Sequence, residues 1–376
     1  MSAPGSLIRL AALTRKETSQ MLRDRSNLIV GLMLPLVLIL LFGYGLSFDV
    51  TDARIAVVMQ NNSLAAREAA MGLSGSAYLS PVWVHSMDEA QAMMRAGEVD
   101  AILRVPHEFL RELAQGTARV QLILDGVDYT VATAVEAYVR GALAIPFEAL
   151  ADRAGNKPGD LAQVVIVQRT WFNEAGESTW FLVPGLIVLI LTLIGAFLTS
   201  LLVAREWERG TLESLFVTPV RPLELVLSKL APYLVIGGID LVMCLMAARF
   251  LFDVPMRGSL WVIIAVSLLY LLVSLSMGLL ISAVTRNQFA ASQMALLISF
   301  LPAMMLSGFV FDLRNVPVAI QVISHALPAT HFMALIKTLF MAGDNWPDTL
   351  RTGVILSLYA IVFIAAARRA LRKRLR

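Results

Sequence analysis

Residues 178–219 read STWFLVPGLIVLILTLIGAFLTSLLVAREWERGTLESLFVTP. From Ser178 to Ala204 no side chain is charged, and then Arg205, Glu206, Glu208 and Arg209 crowd together before Gly210. A helix rises about 1.5 Å per residue, so roughly 20 apolar residues cross a hydrocarbon core of about 30 Å. This run is long enough, and the solvent it calls for is lipid. Composition extends that conclusion to the rest of the 376 residues, which are 57% hydrophobic and 16% charged, with a mean hydropathy of +0.71. Such a chain is neither disordered nor a basic nucleic-acid-binding protein, and with Cys244 as its one cysteine it is no disulfide scaffold.

Working outward, the same test gives an α-helical integral membrane protein with six transmembrane helices and an inserted α/β extracytoplasmic domain. The expected spans are residues 28–48, 178–204, 230–248, 258–285, 287–311 and 352–367. The last is short, and Arg351 and Arg368 at its ends are expected to snorkel. A cleaved signal peptide at residues 28–48 is disfavoured by the long segment ahead of it and by Pro35. Residues 1–27 read as an interfacial helix in which Leu7, Leu10, Met21 and Leu22 alternate with Arg9, Arg15, Lys16 and Arg23.

Charge orients the spans. The net charge of +3 conceals a tail, residues 368–376, holding six basic residues and no acidic one. Six spans put this tail, the basic N-terminal segment, the 205–229 loop and Arg286 on one side, as the positive-inside rule requires. The uncharged stretch Asn315–Ile336, with Pro317, His325, Pro328 and His331, would reverse the tail if it crossed. Residues 312–351 are therefore expected to be re-entrant helices on the outer side.

Residues 49–177, with 10 basic and 17 acidic side chains, are long enough to fold separately. Strands are expected at Ile55–Met59, Ala101–Val105, Val120–Leu124 and Val164–Val167, alternating with helices. Ser86-Met87-Asp88-Glu89 forms a capping box ahead of a helix stopped by Gly97. A helix from Pro106 to Gly116 and a long one over Thr130–Ala154 complete the expectation.

Catalytic signals are missing. No G-x-x-x-x-G-K-[ST] phosphate loop occurs, His107-Glu108 lacks the second histidine of a zinc helix, and the four histidines have no metal-ligand spacing. No cofactor or metal is expected on this chain. Asn61-Asn62-Ser63 formally matches a glycosylation acceptor.

Two sets of residues remain as candidates for function. In the 205–229 loop, Gly210 can end the span, Thr211 can cap a new short helix, Glu213 suits its first turn and Pro219 stops it. Leu212, Leu215 and Phe216 would form an apolar knob; the plain alternative is a solvated connector. Within the spans, Asp240 is expensive in lipid, either facing a substrate pathway or serving as hydrogen-bonded glue between helices. Ser274, Met294 and Met304 are further candidates for a pathway lining, against the alternative of helix packing.

Residues spread over essentially the whole chain resemble the permease subunits of ABC-2 type exporters, in the branch with a large extracytoplasmic domain after the first span. They include Lys16-Glu17, Leu22-Arg23-Asp24-Arg25, Val105-Pro106, Asp125-Gly126, Trp171-Phe172-Asn173 and Pro184-Gly185. The most specific is Arg205-Glu206-Trp207-Glu208-Arg209-Gly210-Thr211-Leu212-Glu213, followed by Thr218-Pro219, Lys229 and Pro232-Tyr233. Leu306-Ser307-Gly308-Phe309 and Pro328-Ala329-Thr330-His331-Phe332 continue it, with Asp312 where many relatives have proline.

The resemblance implies a bacterial inner-membrane protein with both termini cytoplasmic, which exports a hydrophobic or amphipathic substrate. It implies a separate cytoplasmic ABC ATPase that binds ATP, and a homodimer or a heterodimer with a related permease. It assigns Glu206, Gly210, Thr211, Leu212 and Glu213 to coupling with that ATPase. Membrane lipid is an expected partner, nucleic acid is not, and an envelope adaptor protein is compatible although no residue demonstrates one. The competing expectation is a membrane-anchored scaffold or receptor whose outer domain binds an envelope partner. A passive channel would need a filter or charged ring, and none is recognisable.

Overall fold

The computed structural model describes residues 3–45, 52–60, 63–76, 78–114, 119–124, 132, 134–144, 177–212, 220–310, 313 and 316–371. They fall into two compact units, residues 1–46 with 171–376, and residues 47–170.

The first unit is helical because its long runs contain almost nothing but apolar side chains. Its elements are α1 (Ala3–Arg23) and α2 (Arg25–Gly45), then α7 (Thr179–Glu208), α8 (Pro222–Phe250), α9 (Leu260–Thr285) and α10 (Gln288–Leu306). They are followed by α11 (Val318–His325), α12 (Pro328–Met341) and α13 (Trp346–Ala370). The helices α7, α8, α9, α10 and α13 are each long and apolar enough to cross a membrane. Two bent pairs, α1 with α2 and α11 with α12, raise the count to as many as seven if each pair is one span. The second pair bends by 83° at Ala326-Leu327, where Pro328 starts the new helix and Leu327 is extended.

Several helices outrun their apolar cores. α7 continues four residues past Ala204 to Glu208, α8 begins at Pro222, eight residues ahead of Leu230, and α13 begins at Trp346 rather than Thr352. The connector expected over 205–229 is accordingly short. α10 contains a turn of π-helix at Leu296–Phe300, directly before Pro302. Proline has no N–H and its ring crowds the carbonyl four residues back, so a widened turn relieves the conflict. The helix ends at Leu306, short of the expected 311.

α7 is the axis of this unit, packing against α2, α8, α9, α10 and α12. Its contact with α9 uses small residues one turn apart on each side. A Cβ added at Gly195 would lie 2.7 Å from the Ser274 Cβ, and one at Gly278 would collide with the Ala196 carbonyl and Thr199 Oγ1. Such close approach lets side chains reach backbone across the interface: Thr199 Oγ1 donates to the Leu275 carbonyl at 2.8 Å, and Ser282 Oγ accepts from the amides of Val203 and Ala204. The expected pathway residue Ser274 is thus a packing contact, 2% exposed and wedged against Gly195.

The second unit carries a four-stranded sheet in the order β2-β1-β3-β4. β1 (Ala53–Met59) pairs in parallel with β2 (Leu79–Val84) and with β3 (Ala101–Val105), and β4 (Gln121–Leu124) is antiparallel to β3. α3 (Leu64–Ser74) and α4 (Met87–Arg95) make the crossovers, α5 (Phe109–Ala114) follows β3, and residues 134–144 form α6. Ser86 Oγ accepts from the Glu89 amide while a Glu89 carboxylate oxygen accepts from the His85 amide. β2 was not expected, because Ser80 and Pro81 interrupt its pattern; as an edge strand it tolerates a proline that needs no ladder N–H. The expected strand Val164–Val167 and the ends of the Thr130–Ala154 helix lie outside the described residues.

Replacing Gly278 by Val should force α7 and α9 apart and destabilise the purified protein by about 2–3 kcal/mol in detergent. Gly353→Ala, in open space on α13, should leave stability unchanged or raise it by up to about 1 kcal/mol. Thermal unfolding of both variants tests the contact, and equal stability for Gly278→Val and wild type would refute it.

Candidate functional site

The charges that close the apolar run of α7 do not simply face water. Glu206 is 4% exposed, and its Oε1 lies 2.8 Å from Lys229 Nζ on α8. Lys229 is 1% exposed and also contacts Glu17 Oε1 on α1 at 3.2 Å. Lys16 reaches the same two carboxylates from the rim, at 3.0 Å to Glu17 and 3.2 Å to Glu206. Two lysines and two glutamates thus form a charge-balanced knot, buried except for Lys16 at its rim. Burial alone would lower the Lys16 pKa, but Glu17 and Glu206 outweigh it and hold the ammonium above its ordinary value.

Further pairs surround the knot. Arg205 pairs with Asp24 at the α1–α2 junction, and the Arg9 guanidinium grips both Glu224 carboxylate oxygens at 2.9 and 3.2 Å. Glu224 also accepts from the Arg221 amide, which fixes the first turn of α8. Glu208 Oε1 accepts from the Gln288 amide at the start of α10, and the Arg286 guanidinium stacks 4.1 Å from the Trp207 ring centroid. α1, α7, α8 and α10 are therefore tied together at one end of α7.

Beyond the knot the chain turns. Gly210 has φ +68 with open space around it, so glycine is needed there for conformation rather than room. The Gly210 amide donates to the Trp207 carbonyl and Thr211 Oγ1 to the Glu206 carbonyl. This reversal carries Leu212 back into the apolar core, where it is 1% exposed. The expectation of Leu212 as part of a projecting knob is corrected accordingly, and Glu206 belongs to a helix rather than a loop. Glu213, Leu215 and Phe216 lie outside the described residues.

The expected pathway residues face different surroundings. Asp240 is fully buried, and neither carboxylate oxygen has a partner among the described residues. An unpaired buried carboxylate is costly, so an ionised Asp240 calls for a partner beyond the described residues. Met294 is 40% exposed on α10, and Met304 is partly buried against the core. Lys229, Glu17 and Lys16 carry the site although sequence reading gave them no role. Their signal was the family resemblance, which includes Lys16-Glu17 and Lys229 but says nothing of their pairing.

A family model described as ABC-2 family transporter protein matches residues 25–369. The probable multidrug ABC transporter permease YbhS of Escherichia coli is 39% identical over 359 residues, covering 95% of this chain and 94% of the relative. The probable multidrug ABC transporter permease YbhR of the same organism is 29% identical over 335 residues, covering 89% and 90%. The linearmycin resistance permease protein LnrN of Bacillus subtilis is 24% identical over 388 residues, covering 97% and 99%.

Lys229→Met leaves two buried carboxylates sharing one lysine and should destabilise the protein by about 3–5 kcal/mol. Adding Glu206→Gln to that variant restores charge balance, so the double variant should be more stable than Lys229→Met alone. A double-mutant cycle in detergent-solubilised protein measures this, and additive losses would dissolve the knot as an energetic unit.

Proposed function

The chain belongs to the ABC-2 family of transporter proteins, and from that premise we propose that it is the transmembrane subunit of an ATP-driven exporter moving hydrophobic or amphipathic molecules outward across a bacterial inner membrane. A permease of this family is not itself an enzyme, and ATP hydrolysis belongs to a separate subunit. The names of YbhS and YbhR as probable multidrug permeases, and of LnrN as a resistance permease, support a lipophilic cargo. In this reading six helices cross, α2, α7, α8, α9, α10 and α13, while α11 and α12 dip into the outer leaflet and return. The 47–170 unit stands outside the membrane, both termini are cytoplasmic, and two such subunits make the pathway.

The observation that carries the mechanism is the buried knot beside the Gly210 turn. Glu206 and Lys229 bind α7, α8 and α1 into one body, so force applied to the turn moves three helices together. Gly210 and Thr211 are exposed at that turn and Glu213 follows directly, which suits contact with an ATPase. Glu206 and Leu212 serve from inside, as the anchors through which the turn pulls. ATP-driven closure of the partner then biases the permease between inward-open and outward-open arrangements. Asp240, Met294 and Met304 are kept as candidates for the pathway formed when a second subunit completes it.

Vesicles containing this chain and its ATPase should show ATP-dependent flux of a lipophilic dye, absent when either protein is left out; flux without the ATPase would sink the proposal. Glu213→Ala should insert normally and lose several-fold of the cargo-stimulated ATPase rate. Orientation has its own check, because Cys244, the one cysteine, is buried. Arg209→Cys should react with a membrane-impermeant maleimide in inverted vesicles and stay unlabelled in intact cells.

A further inference from the structure

At the end of α7 opposite the knot, about 38 Å away along the helix, the start of α7, residues 307–310, Leu313, and α11, α12 and α13 line a partly open cavity of about 790 Å³. Two cations stand in its polar wall. Lys337 is held in place twice, with Nζ donating to the Gly308 carbonyl at 2.8 Å and lying 3.5 Å from the Phe181 ring centroid. Arg351 adds a second fixed positive charge from α13. Among the described residues the one carboxylate in the lining, Asp348, accepts from Asn345 Nδ2 at 2.6 Å.

Two of the chain's four histidines join this wall. His325 Nδ1 lies 2.7 Å from the Gln321 carbonyl, and His331 Nε2 lies 2.9 Å from the His325 carbonyl. Carbonyls only accept, so those nitrogens carry the protons and the opposite nitrogen of each ring is left over. Ser307 Oγ is buried with no hydrogen-bond partner among the described residues, although its residue lines the cavity. A buried hydroxyl without a partner is a cost that an occupant of the cavity can remove.

The rest of the wall is apolar, with Phe181, Phe309 and Ile355 prominent. We propose that this cavity is a binding site for an amphiphile with an anionic phosphate or carboxylate head: Lys337, Arg351 and Ser307 take the head, and the aromatic side takes the tail. The volume falls in the range of sites for drug-sized molecules and far exceeds what a bare phosphate fills. That the occupant is exported cargo rests on the exporter reading above; the binding itself does not.

The test uses the full-length chain in phosphatidylcholine nanodiscs with radiolabelled dodecyl phosphate as probe. Wild type should bind it saturably, and the uncharged dodecyl maltoside should not displace it. Arg351→Gln, at an exposed position, should weaken binding about fivefold, and Lys337→Gln with Arg351→Gln more than tenfold. Ser307→Ala, a second variant whose lost hydroxyl has no hydrogen-bond partner among the described residues, should weaken it about threefold. Unchanged affinity in Arg351→Gln and Ser307→Ala, or equal displacement by dodecyl maltoside, would overturn the site. Inorganic phosphate competing as tightly as dodecyl phosphate would overturn the amphiphile in favour of a free anion. Intact ATP-driven flux with no dodecyl phosphate binding defeats this site alone, whereas binding without flux defeats the exporter reading and leaves the site standing.

Discussion

Lys229 sits where no water can solvate it, and that constraint organises one end of the molecule. An ammonium that is 1% exposed is tolerable only with carboxylates at hydrogen-bonding distance, and the two it has come from α1 and α7. Neither neighbouring carboxylate is exposed either, so none of the three groups can leave without stranding the others. The pairs Arg205–Asp24 and Arg9–Glu224 extend the same logic toward the surface, where each is worth less and can exchange with water. A knot of this kind contributes little net stability compared with an apolar core; in the exporter reading its use is to hold three helices in one arrangement under load.

The other half of the constraint is steric. Gly195, Thr199, Ser274 and Gly278 let α7 and α9 approach until side-chain hydroxyls reach backbone carbonyls and amides. In lipid no hydrophobic gain holds helices together, so close packing and interhelical hydrogen bonds must do it. α7 is thereby fixed along its length by α9 and at its end by Lys229. Asp240 on α8 departs from this pattern, because neither oxygen of its buried carboxylate has a partner among the described residues. Polar groups left in that condition are where a membrane protein's local structure departs from its own best packing.

The membrane helices were legible in the sequence because an apolar run of fixed length is a requirement of the bilayer. Their ends were not. Glu224 and Lys229 count against hydropathy, yet ion pairs keep both inside α8, and Asp348, Thr349 and Arg351 interrupt the apolar pattern of a segment that is nonetheless helical. Pro81 hid an edge strand, since its sign as a breaker depends on which neighbour the strand lacks. The Glu206 region was recognisable as a site, but the partners that define it, Glu17 and Lys229, are 212 positions apart. Local pattern carries no information about such pairing. Leu212 fails for a related reason: amphipathic spacing marks it as apolar, while the positive φ of Gly210 decides whether it points out or in.

In the exporter reading, α7 is the element through which movement at the knot reaches the cavity. α7 joins the knot at Glu206 to the cavity at Phe181, and its 30 residues give a strut of about 45 Å. Phe181 is the ring over which Lys337 lies, so a shift of the α7 start displaces a cation that the Gly308 carbonyl also holds. Lys337 is a member of α12, which meets α11 at an 83° bend beside Leu327. Close packing inside the α7–α9 contact leaves no room for internal rearrangement, so in the exporter reading α7 moves as one rigid strut.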